Sequence, residues 1–274
     1  MNSTLDIMNL PHPLVMGILN ASPDSFYKQH ASNELTLLQD HVDKLIVEGA
    51  DIIDIGGMTS KPNSEEITIE EEMKRCIPII EYIRIKYPNQ FISIDTYRGE
   101  LAETALQMGV QMVNDISGGM LDKNMASIIK KYDSYYVCMH MKGKPKDMQL
   151  SPFYQDVVKD VYHFFEERLA YFHSLSIRKV ILDVGFGFGK TIKHNYELLN
   201  GLRKFTDLQM PILVGISRKS MIYKLLNIQA EDALSATSAL HLLALQQGAN
   251  ILRVHDVVEA KQCIGLYQQI KKPI

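Results

Sequence analysis

Residues able to bind or ionise a small molecule sit just behind short apolar runs in this chain. Asp95 ends FISID, Asn114 follows Met112 and Val113, and Asp183 follows KVIL. A carboxylate in such surroundings must be paired or bound to a ligand, because an isolated buried charge is costly. Two Asp and one Asn suit a flat heterocycle with an amino-pyrimidinone edge, which offers N–H donors to carboxylates and both polarities to an amide. Any one of the three reads equally well as part of a structural network with Lys219 and Arg253. Their recurrence at equivalent places shifts the balance toward a site.

A second group is cationic. In ILRVHDV, Arg253 and His255 are alternate residues on one face of a strand. SRKS at 217–220 stands where a helix begins and supplies backbone N–H groups, Arg218 and Lys219. Together they fit a pyrophosphate; the alternative, a basic surface patch, poorly explains a guanidinium and an imidazole inside a strand. GILNASPDSF at 17–26 reads by itself as a capped turn. DIGGMTSKPNSEE at 54–66 reads as a glycine-bearing loop, either functional or plain surface. GFGFGKT at 185–191 lacks the GxxxxGK[ST] spacing of a phosphate loop.

The elements that must position these groups follow from periodicity. Eight short β-branched runs begin near Leu14, Ala50, Phe91, Met112, Tyr135, Lys179, Pro211 and Ile251, and each is followed by a helical pattern. After Thr68, an acidic first turn and a stripe of Ile69, Met73, Ile77, Ile80 and Ile83 predict a capped amphipathic helix. Eight strands and eight helices in strict alternation predict an α/β fold, a (β/α)8 TIM barrel, as one domain over 1–274, with an open doubly wound sheet as the alternative. In such a barrel catalytic groups stand at the carboxyl ends of the strands.

Composition narrows the classes further. The 274 residues are 46% hydrophobic and 22% charged, ordinary for a globular protein. A net charge of −3 gives no bulk field for nucleic acid or an anionic membrane. Cys76, Cys138 and Cys263 have neither disulfide nor zinc spacing. MNSTLDIMNLPHP has no basic or apolar leader pattern, and no run of 18 apolar residues occurs. A cytoplasmic protein is the expectation.

Eight motifs in order, GILNASPDSF, DIGG followed by SKP, SIDTYR, VNDISGG, CMHMKGKPKDMQ, ILDVGFGFGKT, VGISRKS and ILRVHDV, resemble the signatures of the dihydropteroate synthase family, from Leu14 to Val257. The resemblance implies a TIM-barrel transferase that condenses 6-hydroxymethyl-7,8-dihydropterin pyrophosphate with 4-aminobenzoate, with Mg2+ as cofactor, and a homodimer. It implies a pterin pocket of Asp95, Asn114, Ile116, Met139, Asp183, Phe188, Gly215 and Lys219. It implies pyrophosphate contacts from Asn20, Ser60, Arg253 and His255, with Asn20 also reaching Mg2+. The aminobenzoate pocket is then Phe26, Pro62, Phe188, Lys219 and Ser220, where sulfonamides are also expected. Asp95, Asp183, Lys219, Arg253 and His255 are the implied catalytic set. One departure is at Lys28, where the family commonly has an Asp near the metal. A Schiff-base aldolase using Lys219 and a catalytically silent pterin-binding protein are the alternatives.

Overall fold

In the computed structural model, residues 5–21, 34–58, 67–143 and 152–272 are described. Strands β1 (Leu14–Asn20), β2 (Ile52–Gly56), β3 (Phe91–Asp95), β4 (Met112–Asp115), β5 (Tyr135–Met139), β6 (Val180–Asp183), β7 (Ile212–Val214) and β8 (Ile251–Val254) alternate with helices. The helices are α1 (Glu34–Val47), α2 (Ile69–Lys86), α3 (Gly99–Gln107), α4 (Met125–Tyr132), α5 (Val157–Ser174), α6 (Ile192–Asn200), α7 (Ser220–Leu226), α8 (Leu234–Gln246) and α9 (Val257–Lys271). All eight strands pair in parallel and close in sequence order into a barrel, β8 returning to β1. The TIM barrel is therefore correct and the open sheet is not. Strict alternation is not kept, because β7 is followed by both α7 and α8 before β8.

The strands are buried on both faces, which is why they read as nearly continuous apolar runs. Residues of one parity fill the barrel. Leu14, Met16, Ile52, Phe91, Met112, Val137, Ile181, Leu213 and Ile251 form one buried cluster, joined by Ile7 from a short 3-10 turn at Ile7–Asn9. The other parity packs outward against the helices in a much larger core. Each aliphatic side chain buried in this way contributes about 1.5–3 kcal/mol.

Helix α2 starts where its sequence demands, with the Thr68 hydroxyl accepting from Glu71 N at 3.3 Å and three glutamates in the first turn. Its buried stripe is Glu72, Cys76, Ile79, Ile80 and Ile83, while Ile69, Met73 and Ile77 pack at the flank. The expected stripe was offset because Glu72 looks polar in sequence. Arg98 Nη1 lies 2.9 Å from its carboxylate and makes its burial tolerable.

Candidate active site

Two residues above the apolar filling of the barrel, the same inward parity turns polar, and the mouth of the barrel is built from that layer. On β2 the inward sequence runs Ile52, Asp54, Gly56; on β3, Phe91, Ser93, Asp95; on β8, Ile251, Arg253. Arg253 draws three strands together. Its Nε donates to Asp54 Oδ2 at 2.6 Å and its Nη2 to Asp95 Oδ2 at 2.7 Å. Asn114 Nδ2 donates to the same Asp54 oxygen at 3.0 Å, and Asp95 and Asn114 are register partners on β3 and β4.

Opposite lies Asp183, at the end of β6. Its Oδ1 accepts from Gly185 N at 2.8 Å. Burial raises its pKa, opposed by Lys219, that amide, Arg253 and Lys190. Burial likewise lowers Lys219 to about 8, against the pull of Asp183. Lys219 Nζ donates to Phe186 O at 2.6 Å and sits 4.7 Å from the centre of the Phe188 ring. Gly215 lies under this group, and a Cβ there would stand 3.9 Å from both Lys219 Nζ and Arg253 Cβ, so the small residue keeps the floor open.

The third side is apolar. Met139, Met141 and Phe188 form a separate buried cluster with Ile116 packed against it. This wall is fixed from behind by Lys190. Its buried ammonium reaches His140 Nδ1 at 2.9 Å, Gly185 O and Phe188 O at 3.0 Å, and His140 O at 3.2 Å. The lysine of GFGFGKT therefore ties two loops together and does not face a phosphate. Gly185 has φ of +69° and a Cβ there would fall 1.9 Å from His140 O, so no other residue lets these loops approach.

Asn20 is half-buried at the end of β1, in register with Gly56. His255 stands exposed just beyond β8, its backbone N–H donating to Ser217 Oγ at 3.3 Å. Crowding by the rim, and then the Arg253 charge, lower its imidazole to about 4. Ser220 is the first residue of α7. β7 stops at Val214, and Ser217, Arg218 and Lys219 form the turn that leads into α7, where the sequence places a helix start. Arg218 is taken up by Asp256, with Nε and Nη2 at 2.9 and 2.8 Å from its two oxygens. Phe26, Lys28, Ser60 and Pro62 lie outside the described residues.

Three residues of this arrangement were missed in sequence. Asp54 was passed over as the start of a loop, although its alternation with Ile52 and Gly56 repeats that of Asp95 with Ser93. Met141 shares the parity of Met139 in CMHM. Lys190 carried no signal of its own, because a buried lysine and a loop lysine look alike before the chain folds.

The chain matches the pterin binding enzyme family over residues 16–255. It is 41% identical over 264 residues to dihydropteroate synthase of Escherichia coli K12, covering 95% of this chain and 93% of that protein. Its fold superposes with a TM-score of 0.90 on the Clostridium difficile dihydropteroate synthase solved with pteroic acid, at 37% identity and with 96% and 98% of the two chains covered. The Xanthomonas albilineans dihydropteroate synthase solved with 4-aminobenzoic acid also gives 0.90, at 34% identity and 96% and 95% coverage.

Proposed function

The chain belongs to the dihydropteroate synthases of the pterin binding enzyme family, and from that membership we propose that it condenses 6-hydroxymethyl-7,8-dihydropterin pyrophosphate with 4-aminobenzoate at the mouth just described, the whole chain acting as one pterin-binding domain. The observation that carries the reading is the gathering of Asp95 and Asn114, Asp183, and the Met139, Met141 and Phe188 cluster at the carboxyl ends of the strands. Such a set of polar groups beside an apolar wall suits a planar ring edged with N–H donors.

The chemistry is an ionisation followed by capture. The bond from the pterin methylene to the pyrophosphate oxygen breaks, and its electron pair leaves with the pyrophosphate. Arg253 and His255 face that charge from β8 and its end, with Asn20 and Ser60 as further contacts. Asp95 and Asp183 stabilise the pterin cation that remains. The neutral amine of 4-aminobenzoate, held by Phe26, Pro62, Phe188, Lys219 and Ser220, then attacks the methylene carbon and loses a proton. No side chain has to become a covalent nucleophile. Lys219 instead donates to the Phe186 carbonyl and stacks its charge on Phe188.

Asn20 offers a hard amide oxygen beside Gly56, whose lack of a side chain leaves room, and this fits Mg2+, which takes oxygen ligands and keeps waters. When bound, the ion supplies positive charge to the leaving pyrophosphate.

Exposed Leu225 and Leu226 on α7, Leu243 on α8 and Leu266 and Ile270 on α9 support a homodimer. Three buried free cysteines support a reducing, cytoplasmic setting. Among the described residues no helix is long and apolar enough to cross a membrane. The deciding experiment is pyrophosphate release with both substrates, with and without Mg2+. Release that requires both, and dihydropteroate recovered in equal amount, is the expected result; binding of pterin without release would establish a silent binding protein instead.

A further inference from the structure

Asn114 can read a ligand in two opposite ways, because its amide carries an acceptor on one arm and two donors on the other. What chooses between them lies behind it. Asp54 is fully buried, and its Oδ2 takes both Asn114 Nδ2 at 3.0 Å and Arg253 Nε at 2.6 Å. A carboxylate engaged by a guanidinium only accepts, so the NH2 arm of Asn114 is the arm that faces it. Rotating the amide would bring a carbonyl oxygen onto a carboxylate oxygen inside the barrel, two acceptors with no proton between them. The other carboxylate oxygen, Oδ1, is enclosed without a hydrogen-bond partner, so both of these contacts run through Oδ2.

We propose that Asp54 is a positioning residue which locks the Asn114 amide with its carbonyl oxygen toward the mouth, making Asn114 an acceptor for a ring N–H of the pterin. This rests on the pterin reading of the site. Since Asp95 is the register neighbour of Asn114, the β3–β4 side of the mouth then presents acceptors in a row. The Asn114 oxygen therefore selects an N–H at the matching position of the ring edge, and Asp54 sets that selection through Asn114.

The test is calorimetric titration of 6-hydroxymethyl-7,8-dihydropterin into the intact protein and its variants Asp54→Asn, Asp54→Val, Asn114→Ala and the double variant Asp54→Val/Asn114→Ala, each checked for folding by thermal melting. Asp54→Asn keeps an amide oxygen where Oδ2 stands and still accepts both donors, so its affinity should stay within about threefold of the parent. Asp54→Val removes the acceptor and frees the amide to rotate, and should lose about tenfold or more. In the Asn114→Ala background the same change should cost almost nothing further, because a residue acting through Asn114 has nothing left to act on. Parental affinity in Asp54→Val, or equal losses in Asp54→Asn and Asp54→Val, or independent losses in the double variant, would each overturn the proposal. Equal losses would mean that Asp54 acts by neutralising Arg253. If Asp54→Val does not fold, Asp54→Ala takes its place, and a tenfold loss in Asp54→Asn is decisive by itself. A parent protein that fails to bind the probe at all would sink the pterin reading instead, which keeps the two failures apart.

Discussion

Ile181 and Asp183 are two residues apart on the inward face of β6, yet they belong to different regimes. Ile181 is fully buried among Met16, Val137, Leu213 and other aliphatic side chains, with Ile7 in the same cluster. Asp183 is nearly as buried, but burial works against it and raises its pKa. One turn of the pleat thus divides a layer that stabilises the barrel from a layer whose stabilisation depends on neighbours or ligand. The contrast recurs on β2 between Ile52 and Asp54 and on β8 between Ile251 and Arg253. Chemistry at the carboxyl ends of the strands and stability beneath it are the division of labour expected of this fold.

The sharpest way to separate the layers is to mutate both residues of one strand. Ile181→Ala should lower unfolding free energy by about 2–5 kcal/mol, the usual cost of truncating a core aliphatic. Denaturant titration measures this, and pterin affinity of the folded protein should be unchanged. A comparable loss of affinity would show that the two layers are mechanically coupled. Asp183→Asn should do the reverse. An amide puts a donor where an acceptor is needed, and a hydrogen bond to a charged group is worth about 1.5–3 kcal/mol, roughly tenfold to more than a hundredfold in affinity. Thermal stability should hold or rise, since a buried carboxylate is removed. Unchanged pterin affinity by calorimetry would take Asp183 out of the site.

The lower layer was readable from sequence because the short apolar runs state the strands, and β1 begins at Leu14 as expected. The upper layer was readable only in part. Asp95, Asn114 and Asp183 stood out as polar interruptions at strand ends, but which acid pairs with which cation depends on closure of the barrel. Arg253 was assigned to an anion, with a network to Asp95 as the open alternative, and in the structure its Nε and Nη2 engage Asp54 and Asp95. That pairing crosses 199 and 158 positions of chain, a distance no local pattern encodes. The additional helix before β8 was hidden for a related reason. α8 buries Thr237 and His241 and leaves Leu243 exposed, so no single apolar stripe marks it.

A smaller effect separates the two ends of the mouth itself. Desolvation at the rim and then the Arg253 charge hold the His255 imidazole below its ordinary value. An anion bound beside it would favour the imidazolium. His255→Ala should slow turnover on the order of tenfold, the scale of one hydrogen bond to a charged group, with pterin affinity nearly intact. Steady-state kinetics beside calorimetry measures both; lost pterin affinity with retained turnover would reverse the assignment.

The last effect is a dependence on pH that the lower layer cannot have. Burial raises the Asp95 carboxyl from 3.8 to about 7, with Arg253 opposing and Asp54, Glu72 and Asp115 adding to it. For an acid whose folded pKa is raised, the folded state holds the proton longer than the unfolded chain. Its contribution to stability is therefore full below about pH 4 and is lost as pH climbs to about 7. Ligand binding should have the opposite slope. A ring N–H needs the ionised carboxylate as acceptor, so pterin affinity should strengthen from about pH 5 to about pH 7 and release a proton as it does so. Above that, Lys219, lowered to about 8, begins to lose its own charge. Calorimetry in two buffers of different ionisation heat counts the proton, and Asp95→Asn should abolish both the release and the slope. If affinity is flat over this range while Asp95→Asn still weakens binding, Arg253 holds Asp95 ionised throughout, and the ion pair belongs with the layer that is settled before any ligand arrives.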